Sequence, residues 1–430
     1  MDQKADQVGA ALAQPLPRVA FFNASDRASG AEALICQTVE GLRARGLDAR
    51  LYVKDRFTDL PYVHPLPFFF GERRLELKLR KLSGRNNIFF PSTFTLKLQP
   101  WIKTASIWHF HNLHGHFVSI PLLAAESRRR TVVLSPVDQF LATGYCPYTL
   151  GCERFREGCG RCPQLDLSYP GLSRDTTREL LAMKKRAISR SRFKLLVHTD
   201  YLARYYASTF VGSLPIERLY YGVDTEVFRP VERDEAARAL GIPFVRGFVV
   251  GLIHSNVADE RKGLLPLLDL LRSLGERMPG RITVLVVGTA SERALERATP
   301  NMNVVALPFL KSSEELAHAL NLCDVLLYPT RADNLSLTCL DALACGVPVI
   351  SSNVGGQPEA VEDAVNGFLT EPGNNEQIIE RVAEMATDEA LTRRLAAGAR
   401  RTAIERFRID SYIDNLLGYY ERLLGQGVSV

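Results

Sequence analysis

The sequence predicts an α/β protein made of two parallel-sheet domains, and three observations carry that prediction. The first is the stretch from Pro329 to Glu359, PTRADNLSLTCLDALACGVPVISSNVGGQPE. An apolar run, Val325 to Tyr328, precedes it and reads as a buried strand. A short polar loop follows, then a helical segment with Leu335, Leu337, Leu340, Leu343 and Ala344 at helical spacing. Gly346 and Pro348 stop that helix, Val347 to Ile350 reads as a second strand, and Gly355-Gly356 opens a further helix carrying Glu359. The second observation is ITVLVVG, Ile282 to Gly288, an apolar run of the kind found in parallel strands buried on both faces. The third is size. The 430 residues are 46% hydrophobic, ample for two cores, since domains of about 200 residues are ordinary.

Composition narrows the function classes. A net charge of +5 suits anionic ligands or an anionic membrane surface and is too weak to argue for nucleic acid. No apolar run approaches the roughly 18 residues of a transmembrane helix. The opening MDQKADQVGAALAQPLP lacks the apolar core of a signal peptide. Residues 1–17 therefore read as a disordered lead-in, and the chain as cytoplasmic with reduced cysteines.

The chemistry of the central stretch follows from its position, because ligands of open parallel sheets bind at the carboxyl ends of the strands. The loop Ala332 to Ser336, with Asp333, Asn334 and Leu335 in it and Leu337 beyond, presents free backbone N–H groups at a helix N-terminus, which favours a phosphate. Asp333 and Asp341 are eight positions apart and so expected on one helix face, Asp333 at the mouth and Asp341 deeper. Carboxylates repel a phosphate. The two aspartates suit hydroxyl groups on either side of one, such as a sugar ring and a ribose.

Earlier in the chain, Arg18 to Asn23 reads as the first strand, and the loop through Ser25, Ser29 and Gly30 leads to a helix from about Ala31 to Arg45. Such a loop lets a ligand approach the backbone closely. Phe68 to Arg85, FFFGERRLELKLRKLSGR, mixes aromatics and leucines with cations, in a pattern that does not decide between strand and helix. It suits either a membrane interface or a solvated basic element over the domain core. Ala105 to Phe110 is a strand that runs into HFHNLHGHF, with His109, His111, His114 and His116. This run reads as a strand-end loop reaching into the cleft, with a metal site as the other reading.

Cys146, Cys152, Cys159 and Cys162 cluster in the segment 138–165 with C-x5-C-x6-C-x2-C spacing. Two readings stay open for them: a structural zinc held by four thiolates, or unligated thiols in a packed loop. In the second half, Arg261 and Lys262 stand at a strand–helix corner, where two cations neutralise a diphosphate leaving group. Ser312 and Glu315 form a capping box. The sequence has no Asp-x-Asp, no Walker A loop and no GxGxxG fingerprint.

The carboxylate pair of Asp333 and Asp341, the small-residue turn and the Gly-Gly-Gln-Pro-Glu loop resemble the signature of glycosyltransferase family 4. These are retaining enzymes of the glycosyltransferase B fold, two Rossmann-like domains facing across a cleft. The family usually has glutamates where this chain has the two aspartates, and an arginine where it has Asn256. The Cys-rich segment resembles a branch that builds bacterial exopolysaccharides such as colanic acid, with Val137 where that branch has histidine.

The resemblance implies an N-terminal acceptor-side domain over 18–235, a donor domain over 236–408, and a C-terminal helix over 409–430 returning to the first domain. It implies a UDP- or GDP-sugar donor without a catalytic metal. Asp333 and Glu359 would hold the sugar, Asp341 the ribose, Lys262 with Arg261 the diphosphate, and the Gly30 loop would face the donor phosphates. His111 would act at the reacting sugar, with His109, His114 and Asp138 on the acceptor side. The acceptor would be a glycan or a polyprenyl-linked glycan, met at the cytoplasmic face of the inner membrane. A nucleotide-sugar 2-epimerase of the same fold and a non-catalytic nucleotide-sugar-binding subunit are the two other readings.

Overall fold

The computed structural model describes residues 17–26, 30–165, 174–243, 245–256, 260–262, 272, 275–276, 278, 282–289, 291–292 and 303–425. The lead-in 1–16, Ser29 and the residues after 425 lie outside this set.

The described residues form two parallel sheets. The first contains β1 (Val19–Ser25), β2 (Ala49–Asp55), β3 (Val63–Pro65), β4 (Ile107–His111), β5 (Thr131–Ser135), β6 (Lys194–Val197) and β7 (Ile216–Arg218). Its order is β3-β2-β1-β4-β5-β6-β7. The second contains β8 (Phe248–Asn256), β9 (Ile282–Thr289), β10 (Asn303–Leu307), β11 (Val325–Tyr328), β12 (Val349–Ser352) and β13 (Gly367–Thr370), in the order β10-β9-β8-β11-β12-β13. Both sheets are doubly wound, with the chain reversing direction beside its first strand. The switch points therefore fall between β1 and β4 and between β8 and β11, where crevices open at the carboxyl ends.

Both faces of each sheet are buried, which is why these strands are apolar rather than alternating. In β1, Val19 and Phe21 enter one core cluster while Ala20 and Phe22 enter another. In β11, Leu326 and Tyr328 pack on one side, Val325 and Leu327 on the other. ITVLVVG becomes the interior of β9, its first seven residues buried. The segment at Phe68 to Arg85 resolves as helix α2, Glu72–Ser83.

The helix Ile409–Gly425 lies against the first domain. Ile413, Leu416 and Tyr420 are buried there, and the Tyr420 hydroxyl meets His109 Nδ1 at 2.6 Å. Arg45 pairs with Asp410 at 3.0 Å and Asp414 at 2.5 Å. Those aspartates are exposed, so the apolar contacts carry most of the attachment. Among the described residues no helix is long and apolar enough to cross a membrane.

Candidate active site

The loop between β11 and the helix Leu337–Ala344 holds the centre of the site. Ser336 caps that helix, accepting from Cys339 N at 3.3 Å. Asp333 precedes the cap. It therefore does not share a helix face with Asp341, contrary to the spacing argument; the loop, not the helix, brings both to one cavity. Gly355 decides where this loop lies. A Cβ there would stand 1.7 Å from the Asp333 carbonyl oxygen, and its φ is +61°. Gly356 N then donates to the Asn334 carbonyl at 2.6 Å. The Gly-Gly pair is the surface on which the Asp333 loop rests. Beyond it the chain makes a single 3-10 turn, Gln357–Glu359, rather than the expected helix.

Four polar groups meet at Asp333. Lys262 Nζ approaches its Oδ2 at 2.6 Å and also bonds the Tyr328 hydroxyl. Tyr328 donates to the same oxygen at 2.5 Å. Arg261 stands 3.6 Å away and donates to the Ala332 carbonyl at 2.7 Å. From the first domain, the Tyr148 hydroxyl reaches Asp333 Oδ1 at 3.3 Å, and its ring lies 4.7 Å from the Arg261 guanidinium. Burial pushes the Asp333 carboxyl up, but Lys262 and Arg261 outweigh it and hold it well below the usual carboxylate range. Among the described residues Asp341 has no such charged neighbours. Burial alone raises its pKa well above the ordinary value.

A cavity of about 1530 Å³, open mouth included, spans the two sheets here. Lys262, Asp333, Asn334, Leu335, Ser336, Leu337 and Asp341 line its second-domain wall; Gly30 and the start of helix α1 (Ala31–Ala44) line the facing wall. Gly30 has a φ of +58°, and no non-adjacent atom of the described residues lies within 4 Å of a Cβ position there. Arg261 stands behind this wall, through Ala332 and Tyr148.

Glu359 does not line the cavity. Its two oxygens accept from Asp200 N and Tyr201 N, both at 2.7 Å, at the start of the helix Asp200–Ala207 in the first domain. Thr199 Oγ1 donates to Asn334 Oδ1 at 2.5 Å beside it. Glu359 thus closes one domain on the other, through a carboxylate at a helix N-terminus. Glu359→Ala is expected to lower stability by about 1–2 kcal/mol, the size of a lost cap. Small-angle scattering should then show a more open pair of domains; an unchanged profile and melting temperature would refute this role.

The four histidines separate. His109 is fully buried, its Nδ1 against Tyr420 and its Nε2 2.6 Å from Ser135 Oγ. Both ring nitrogens are engaged, so it is a core residue with nothing left for an acceptor. His111 is buried at the end of β4, stacked on Phe21 at 5.8 Å and outside the cavity wall. Burial, reinforced by His198, depresses its pKa to about 3, so the ring is neutral. His114 Nδ1 lies 2.5 Å from Asp138 Oδ2. Burial opposes its charge, but the Asp138 carboxylate prevails and raises its pKa. His116 is held by Asn87 at 3.0 Å.

The four cysteines do line one small cavity, with Thr149 and Gln164. All are free thiols. Among the described residues no group of three or more His, Cys, Asp or Glu side chains has the arrangement to hold a metal, so the structural zinc is not supported. Burial pushes the Cys146 thiol up to about 12 and raises Cys159 and Cys162, so without a metal these side chains are thiols. Protein groups order this loop instead. Lys184, fully buried, donates to the Phe140 and Thr143 carbonyls at 2.7 and 3.0 Å. Thr149 N donates to Gln139 Oε1 at 2.7 Å, and Cys162 N to Asp175 Oδ2 at 2.8 Å.

Three site residues escape the sequence reading: Tyr148, Tyr328 and His254. His254 is buried, lines the cavity and stacks on Tyr328 at 4.9 Å between ring centroids. Tyr328 ends β11, and His254 stands near the end of β8. A polar aromatic at the carboxyl end of an otherwise apolar strand is the signal that would have found them. Tyr148 left no such mark, because only tertiary folding carries it across the cleft.

A model of the family Glycosyl transferases group 1 matches residues 251–402. The D-inositol 3-phosphate glycosyltransferase of Stackebrandtia nassauensis is 34% identical over 211 residues, 46% of this chain and 47% of that protein. Its counterpart in Mycobacterium tuberculosis is 30% identical over 249 residues, 54% and 49% of the two chains. The chain spans about half the length of the curated relatives it matches. Among solved structures, sucrose-phosphate synthase from Thermosynechococcus elongatus superposes with a TM-score of 0.68 at 16% identity, over 96% of this chain and 100% of that one. The Anabaena protein HepE in complex with UDP-glucose gives 0.66 at 17% identity, over 94% and 100%. At such identities the likeness establishes the fold. The chain has the two-domain glycosyltransferase B fold, and its residues 251–402 match the model of the family Glycosyl transferases group 1.

Proposed function

We propose that the protein is a retaining glycosyltransferase that moves a sugar from a nucleotide-diphosphate sugar, UDP- or GDP-linked, to a glycan or polyprenyl-linked acceptor in bacterial surface or exopolysaccharide synthesis. One observation carries the reading: Lys262, Asp333, the capped helix start at Ser336 and Asp341 converge on a cavity whose other wall is the Gly30 turn. The kinds of group gathered on this one cavity suit a nucleotide sugar. The helix start and Lys262 receive the diphosphate. Asp341 accepts from ribose hydroxyls, and Asp333 from the sugar.

The Lys262–Asp333 pair matters for the chemistry. A diphosphate entering beside Lys262 competes with Asp333 for the ammonium, leaving Asp333 free to accept from sugar hydroxyls. As the bond to the leaving phosphate breaks, negative charge grows beside Lys262, with Arg261 behind the wall, and a prepositioned cation is most effective there. His111, buried outside the cavity wall, is not assigned to the reacting sugar. The leaving phosphate takes the acceptor proton, and the His114–Asp138 pair serves the acceptor. Domain closure through Glu359 and Tyr148 excludes water.

Thermal-shift binding against UDP, GDP, ADP and TDP sugars tests the donor site. One base is expected to raise the melting temperature, and Asp341→Asn to abolish that rise. The same variant should melt higher than the parent without ligand. Asp341 has a raised folded pKa, so its ionisation opposes folding as pH rises above the unfolded value of about 3.9, and an amide removes that penalty. A flat response to every nucleotide by folded protein would defeat the transferase reading.

A further inference from the structure

We propose that helix α2 and the neighbouring segment 91–98 form a docking surface for an anionic lipid bilayer. Helix α2 is inverted relative to a helix that packs on a core. Its acidic residues are the buried ones, Glu72 and Glu76 at 5% exposure each, while Leu75, Leu77 and Leu82 are 57%, 41% and 78% exposed. Glu72 accepts from Phe69 N at 2.9 Å and from Ser92 N and Oγ at 3.0 and 2.8 Å; Glu76 faces Arg80 at 3.5 Å. Hiding carboxylates and displaying leucines is unfavourable in water on both counts.

The outward face also carries cations. Arg74, Lys78 and Lys81 are exposed, as is Arg73, whose guanidinium pairs with Asp55 at 2.5 Å. On the helix, Arg74, Lys78 and Lys81 occupy the pole opposite the glutamates, with Leu75 and Leu82 together on one flank. Phe70, wholly exposed, stands at the helix start, and the segment held by Glu72 through Ser92 adds Phe94 and Leu98 at 49% and 66%. Leucines and aromatics among cations, with the acids withdrawn, match an anionic interface. A second copy of this chain would bring like charges together.

The surface is wired to the cleft. Asn87, just past α2, donates to the Leu113 and Val118 carbonyls at 2.8 and 3.3 Å and so holds the histidine loop after β4. A chain seated on lipid through α2 presents that loop at the membrane, where a lipid-linked acceptor would arrive. The docking itself does not depend on the transfer reading.

Sedimentation of the full chain with phosphatidylcholine vesicles, with and without phosphatidylglycerol, tests it. Binding is expected only with the anionic lipid and should fall with added salt. The Lys78→Gln/Lys81→Gln variant should bind about thirtyfold more weakly, at about 1 kcal/mol per cation near the surface. Leu75→Ser/Leu82→Ser should also bind more weakly. Both variants alter exposed positions and should keep the parent's melting temperature and nucleotide response. Three results would overturn the proposal: no vesicle binding, equal binding to both vesicle types, or a concentration-dependent dimer that the leucine variant abolishes.

Discussion

Lys262→Ala is expected to lower kcat about 10²–10³-fold with the donor that binds, the effect of removing one prepositioned donor from developing negative charge. The argument rests on position. Lys262 Nζ is at Asp333 and Tyr328, on the cavity wall, at the carboxyl end of β8 where the switch point opens. Arg261→Ala should cost less, because that guanidinium is committed to the Ala332 carbonyl and the Tyr148 ring. Rates must be scaled to folded protein, since removing one partner of a buried pair costs about 3–5 kcal/mol in stability. The pH dependence follows with a definite sign. Asp333 has a depressed folded pKa, so its pair stabilises above the unfolded value of about 3.9 and is lost as pH falls below it. Lys262→Ala should therefore flatten the acid limb of stability. A variant with unchanged kcat and a raised KM alone would show uniform binding and remove Lys262 from the chemistry.

Gly355→Ala should be nearly as damaging although Gly355 touches no substrate. Its Cβ would fall 1.7 Å from the Asp333 carbonyl oxygen, and backbone rather than a flexible side chain would have to yield. Together with the left-handed φ, the cost is about 3 kcal/mol, from about 1–2 for the backbone conformation and about 1–3 for overpacking. For a domain of this size that is a melting shift of about 6–12 °C. Because the Asp333 loop is what moves, donor response should vanish in protein that remains folded. A Gly355→Ala chain with normal melting and normal nucleotide response would show that the Gly-Gly pair does not position the loop.

Residue pattern alone made the two-sheet α/β architecture legible. Strands buried on both faces are apolar throughout, and β9 and β11 announce themselves that way. Short edge strands do not: β3 and β7 have three residues each, too few for any periodicity, and β13 begins at Gly367, which no strand propensity favours. Helix α2 was ambiguous because its leucines alternate with charge, and it buries the glutamates instead of the leucines.

The same division runs through the site. Lys262, Asp333, Ser336 and Asp341 stand at strand ends and helix starts, and doubly wound topology brings such positions together whatever the details of packing. The sequence by itself determined that much: the fold class and the strand-end loops that meet in the cleft. Only the tertiary structure decided how side chains divide between ligand and scaffold. Glu359 turned to cap a helix of the other domain, His109 took both its partners from the core, and Lys184 was buried against the Phe140 and Thr143 carbonyls beside the cysteine loop. Those outcomes depend on which donor or acceptor lies within about 3 Å, and that is set by contacts between residues far apart in the chain.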